Sequence, residues 1–184
     1  MVLIFSAPSG SGKSTLVNHM LGKRNDLEFS VSATSRPPRG KEQDGVQYYF
    51  ISPEEFRQRI ENGDFIEYQE VYKDRFYGTL KSEIERIEQR GHHVVFDVDV
   101  KGGVNLKKLF GDKALALFIA PPSIDELRNR LNKRATDSPE MIEQRVAKAA
   151  EELTYADLFD KIIVNDNLDQ AKTDTEKIIC KFLQ

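Results

Sequence analysis

An α/β fold is what this chain predicts: a five-stranded parallel sheet with helices on it, interrupted by a small mixed α/β insertion. Three observations carry that reading. Five short apolar runs are spaced along the 184 residues, helical stripes lie between most of them, and residues 34–90 break the rhythm. Strands buried on both faces of a parallel sheet read as near-continuous apolar runs, because helices cover both sides. Strand and helix in alternation is the pattern of such a sheet.

The first run is Val2–Ser6, followed by the small-residue stretch Ala7-Pro8-Ser9-Gly10-Ser11-Gly12-Lys13-Ser14 and the helical stripe Leu16, Val17, Met20, Leu21. Residues 28–33 form the second run. Residues 34–45, rich in Pro, Gly and Arg, read as a loop, and residues 48–51 as a strand. Ser52-Pro53-Glu54-Glu55 starts a short helix by a capping box, with Pro at the first helical position. Phe65–Tyr72 is strand-like, and residues 80–89 are a helix ended by Gly91. Residues 92–98 and 115–120 are further apolar runs, the latter closed by Pro121-Pro122. Ser123 and Glu126 form a capping box before Leu127 and Leu131. Ser138 caps a helix with Pro139 first, and Ile142, Val146, Ala149 and Leu153 recur at helical spacing. Residues 162–164 are the fifth run. Leu168, Ala171, Thr175, Ile178 and Phe182 mark a last helix. The expected division is a core of residues 1–33 and 91–184 and an insertion of residues 34–90.

Bulk composition excludes several classes. A net charge of −3 argues against broad nucleic-acid or membrane-surface binding. No run approaches the ~20 apolar residues of a membrane span. One cysteine, Cys180, excludes a disulfide framework and a cysteine zinc cluster; in the last helical stripe it reads as a small buried hydrophobe. The chain enters a core strand with no basic-then-apolar leader, so a soluble, cytoplasmic protein is expected.

Residues 7–14 carry the chemistry. A strand, a small-residue loop ending Gly-Lys-Ser and a helix together make a phosphate-binding loop. Its backbone N–H groups turn inward as an anion cradle. Lys13 adds charge for the β/γ-phosphates, and Ser14 offers a hydroxyl to Mg²⁺. Ala7 stands where the pattern has its first Gly, which is harmless if its φ is negative. Asp97 and Asp99 end the strand of residues 92–98 on one face of the alternation; one acid suits the metal shell and the other the acceptor, unless they are strand-end caps. Arg130 and Arg134 lie i, i+4 on one helix and Arg145 on the next, suited to a phosphoryl group if they are not solvated helix arginines, as Arg128 and Lys133 read. Arg36 and Arg39 sit in the Pro/Gly loop as a phosphate clamp. Tyr48 and Tyr77 are hydroxyl donors or packing residues, with nothing local to decide between them.

These residues resemble the guanylate kinase family, over essentially the whole chain. The resemblance rests on residues 6–15, 31–40 and 65–67, on Phe76-Tyr77-Gly78-Thr79 and Asp97-Val98-Asp99, and on residues 118–123 and 163–166, in the family's order and spacing. It implies a P-loop nucleoside monophosphate kinase fold with a GMP-binding insertion and a helical lid at about residues 130–145. It implies transfer of the γ-phosphoryl of ATP to GMP, with Mg²⁺ and with dGMP as an open second acceptor. ATP would meet residues 7–15 (Thr15 included) and Asn165, the latter near the adenine. Ser32, Glu67, Gly78 and Thr79 would meet the guanine, with help from Asp99, and Arg36, Arg39, Tyr48 and Tyr77 the GMP phosphate. Lys13, Arg36, Arg130, Arg134 and Arg145 would be catalytic, and Ser14 and Asp97 would hold the metal, directly or through water. Thr79 stands where Ser is common, keeping the hydroxyl; Lys101 and Ala135 stand where Gln and Gly are frequent, Ala135 stiffening the lid. Two rivals remain: a kinase for another acceptor, and a non-catalytic binding module on the same fold, which the intact Gly12-Lys13-Ser14 disfavours.

Overall fold

The computed structural model describes residues 1–134 and 138–184, Arg134 by its backbone alone. Ala135 and the Arg134 side chain therefore lie outside the described residues. The chain divides into two compact units, Met1–Leu27 with Val95–Gln184, and Glu28–Val94.

In chain order the strands are β1 (Val2–Ser6), β2 (Leu27–Phe29), β3 (Ala33–Thr34), β4 (Tyr49–Phe50), β5 (Phe65–Tyr72), β6 (Arg75–Leu80), β7 (His93–Val98), β8 (Ala114–Ala120) and β9 (Lys161–Val164). The helices are α1 (Lys13–Lys23), α2 (Pro53–Glu61), α3 (Lys81–Gln89), α4 (Val100–Phe110), α5 (Ile124–Arg134), α6 (Pro139–Leu153) and α7 (Leu168–Phe182). A five-stranded sheet has the order β2-β7-β1-β8-β9, and β1 pairs with β8, and β8 with β9, in parallel. β1 and β8 are buried along their whole length, as their unbroken apolar runs require. In the same unit α5 and α6 pack through Leu127, Leu131, Ile142, Val146 and Ala149, the helical stripes read from the sequence.

The second unit carries a four-stranded mixed sheet, β4-β3-β6-β5, in which β3 and β4 are parallel and the other pairs antiparallel. Its core is a stack of rings: Phe56 lies 4.3 Å from Phe65 and 5.1 Å from Phe76, centroid to centroid. Phe56 comes from α2, started as expected by the Ser52 hydroxyl accepting from Glu55 N at 3.1 Å.

Two expectations are corrected. The run 28–33 is two strands, β2 in the larger sheet and β3 in the smaller, because the chain changes sheets at residues 30–32. Cys180 is exposed, not buried. α7 buries Ala171, Thr175 and Ile179, and Cys180 lies one residue, about 100° of helix rotation, beyond that face. Among the described residues no helix is long and apolar enough to cross a membrane.

Candidate nucleotide and phosphate site

In the first unit the chain leaves β1 through the loop 7–12 and enters α1 at Lys13. Asp74 is the only non-glycine with positive φ among the described residues, so Ala7 sits in ordinary backbone and needs no glycine. Gly12 does: its φ is 89°, and a Cβ there would collide with the Asn165 amide nitrogen. That amide is buried and donates to Ser11 O at 2.8 Å, bracing the loop from β9's end. Gly12→Ala should therefore combine left-handed strain of ~1–2 kcal/mol with loss of the brace. We expect its ATP dissociation constant to rise at least about tenfold by calorimetry, with a lowered melting temperature.

Lys13 Nζ donates to Val98 O at 2.6 Å and pairs with Asp97 Oδ1 at 2.6 Å. Ser14 Oγ donates to Asp97 Oδ2 at 3.3 Å. One carboxylate thus meets both the charge and the hydroxyl of the loop. Ser14 and Asp97 are oxygen donors suited to Mg²⁺, which keeps several waters and shares its shell with substrate phosphates. Among the described residues no group of three or more His, Cys, Asp or Glu could hold a metal ion. Asp99 behaves differently: its carboxylate caps α4 by accepting from Gly102 N at 2.7 Å.

Arg145 from α6 and Arg130 from α5 reach this loop or its brace. Arg145 Nη1 donates to Ser9 Oγ at 3.1 Å. Arg130 Nη1 donates to Asn165 O at 3.0 Å while its Nε meets Glu126 at 2.9 Å. Arg128 pairs with Glu143, as a helix-surface arginine does.

In the second unit Glu67 and Thr79 are cross-strand partners on β5 and β6, and Thr79 Oγ1 donates to Glu67 Oε1 at 2.8 Å. Gly78 lets β5 approach: a Cβ there would lie 2.8 Å from Glu67 O. Ser32 is half-buried, and its carbonyl accepts from Tyr49 N at 2.9 Å. Arg36 is 6 % exposed, its guanidinium 4.9 Å from the Tyr48 ring centroid, and its Nε donates to Tyr77 Oη at 3.1 Å. The Tyr48 and Tyr77 rings meet edge to face, 5.9 Å apart. Both tyrosines therefore belong to the arginine cluster. Burial pushes the Tyr48 hydroxyl above its ordinary range, keeping it a donor at neutral pH.

The sequence reading missed Glu42. Its carboxylate grips Arg36 with both oxygens, at 2.7 and 2.8 Å, and accepts from Arg39 N at 2.7 Å. The Arg36 guanidinium, then the Arg39 amide, hold that carboxyl down to about 2. With Tyr77 and Pro37 O, four of the five guanidinium N–H groups are engaged, so Arg36 is a fixed edge, not a mobile charge. An acid beside Arg36, Arg39 and Lys41 in one loop was the available signal.

The chain is similar to known proteins over nearly its whole length. The guanylate kinase family model matches residues 1–182. The guanylate kinase of Bacteroides fragilis is 61% identical over 182 residues, 99% of this chain and 89% of that protein. That of Porphyromonas gingivalis is 57% identical over 183 residues, 99% of this chain and 97% of its own length. The crystal structure of guanylate kinase from Anaplasma phagocytophilum superposes with a TM-score of 0.75 at 28% identity, covering 98% of this chain and 85% of that one. A family match over residues 1–182, with identities of 61% and 57% over 99% of its length, makes this chain a member of the guanylate kinase family.

Proposed function

We infer that this protein is a guanylate kinase: it transfers the γ-phosphoryl of ATP to GMP, giving ADP and GDP. The observation that carries this is the intact loop, Gly12-Lys13-Ser14 set against Asp97, in a chain that matches the family over residues 1–182. A binding module has no need of it.

The first unit takes ATP on residues 7–15, with Asn165 at the adenine. Mg²⁺, held by Ser14 and Asp97 directly or through water, neutralises phosphate charge when bound. Lys13, Arg145, Arg130 and Arg134 stabilise the charge spread over the transferring group's oxygens. The second unit is the GMP-binding insertion. Arg36, Arg39, Tyr48 and Tyr77 hold the GMP phosphate. Glu67 and Ser32 read the guanine edge with Thr79 and Gly78, and Asp99 serves the same base. The acceptor phosphate is already anionic at neutral pH, so no strong general base is required. Alignment of two polyanions and relief of their repulsion are what these side chains supply. The proposed place of action is the cytoplasm.

A coupled assay of ADP release with GMP, dGMP, AMP, UMP and CMP tests this. GMP should be preferred over AMP by at least about a hundredfold, the scale of two mismatched hydrogen-bonding groups. The dGMP arm tests the second acceptor that the family resemblance leaves open. Preference for another acceptor, or no transfer, overturns the reading.

A further inference from the structure

We propose that Glu83, in the first turn of α3, is a positioning residue for GMP recognition: its buried carboxylate ties the segments that carry Ser32 and Tyr48 to the helix that follows Thr79. The proposal rests on the assignment of those three residues to GMP.

The Glu83 side chain is 2% exposed. Its Oε1 accepts from Val31 N at 3.0 Å and from Arg86 Nη2 at 2.8 Å. Its Oε2 accepts from Tyr49 Oη at 2.9 Å and from Arg86 Nε at 3.1 Å. Val31 immediately precedes Ser32, and Tyr49 immediately follows Tyr48. Tyr49 N donates to Ser32 O, which closes a ring: Ser32, Tyr49, Glu83, Val31. The ring is anchored at the start of α3, four residues after Thr79. Arg86 is anchored in turn by Glu28, which also meets Arg90 at 3.1 Å and His92 Nδ1 at 3.0 Å.

A buried acid of this kind is a poor device for stability alone. Removing its charge from water is expensive, and well-packed apolar groups of the same volume stabilise as well or better. Burial opposes the Glu83 charge, but Arg86, the Val31 amide and the Tyr49 hydroxyl outweigh it and keep the carboxyl below its usual range, so it is a full acceptor at neutral pH. What the ionic arrangement adds is direction. Each oxygen has two donors, so the backbone beside Ser32 and Tyr48 is held in one register. A recognition group displaced by a fraction of an ångström loses much of its worth, which is why supporting hydrogen bonds matter. Glu83 acts through Ser32 and Tyr48.

The test compares Glu83→Gln and Tyr49→Phe with the unmodified protein, measuring kcat, KM for GMP, KM for ATP and the melting temperature. Each variant should raise KM for GMP about three- to tenfold, the scale of one or two lost hydrogen bonds, while kcat and KM for ATP stay within about twofold. A lowered melting temperature with an unchanged KM for GMP assigns Glu83 to folding alone and overturns the proposal. Should Glu83→Gln not fold, Tyr49→Phe, which removes one hydroxyl, decides by the same criterion. Glu67→Gln run alongside separates the two levels. If it raises KM for GMP and the other two variants do not, the positioning role falls and the GMP site stands; if none of the three moves it, both fall.

Discussion

Lys13→Ala should lower turnover by about a hundredfold or more while the protein stays folded. The lysine ammonium is the only positive side chain supplied by the loop itself, and it sits at the start of α1, where the helix N-terminus already favours anions. It rests on Val98 O and Asp97 Oδ1. Both contacts are partly open to solvent, and neither belongs to the apolar core. Their loss should change stability by ~1 kcal/mol, the upper end of the scale for a partly exposed ion pair. A preorganised charge aimed at a transferring phosphoryl is worth ~2.7–4 kcal/mol in the transition state. The measurements are kcat by ADP release and a thermal melt of the same sample. Near-normal turnover in a folded Lys13→Ala protein would remove the assignment of residues 7–14 to ATP.

The loop was legible because each of its parts is fixed locally. Strand, glycines, lysine and helix stripe occur within twenty residues, and the backbone requirement at Gly12 follows from φ alone. The α5 and α6 stripes were legible for the same reason: a helical face repeats within one element. What could not be read depends on contacts between elements. Alternation put Asp97 and Asp99 on one face, but only the position of Lys13 and Ser14 against β7 separates the loop's acid from the α4 cap. Glu42 and Glu83 are glutamates among thirty Asp and Glu residues until folding brings Arg36, Tyr49 and the Val31 amide to them. Cys180 was misplaced because a helical stripe fixes its own axis to no better than a residue. The run 28–33 hid a change of sheet because both strands are apolar enough for either.

Glu67→Gln should weaken GMP use at least about tenfold and leave ATP binding nearly unchanged. Guanine presents two adjacent donors, N1–H and the N2 amino group, and a carboxylate can accept from both. The amide of Gln replaces one acceptor by a donor, so one guanine N–H faces another N–H. A polar group left unpaired on burial costs ~1–3 kcal/mol, more when the lost partner is charged. Folding should be spared, because the amide oxygen can still accept from Thr79 Oγ1, which Glu67 Oε1 does now at 2.8 Å. ATP binding should be spared because Glu67 belongs to the unit Glu28–Val94, whereas the phosphate-binding loop belongs to Met1–Leu27. AMP offers the opposite pattern, an N1 lone pair, so its poor use should fall less than that of GMP and the preference ratio should narrow. Values of kcat/KM for GMP and AMP, with the ATP dissociation constant, decide the matter. Wild-type GMP efficiency, or an equal loss of ATP binding, would show that Glu67 is an ordinary strand glutamate like its exposed neighbour Glu70.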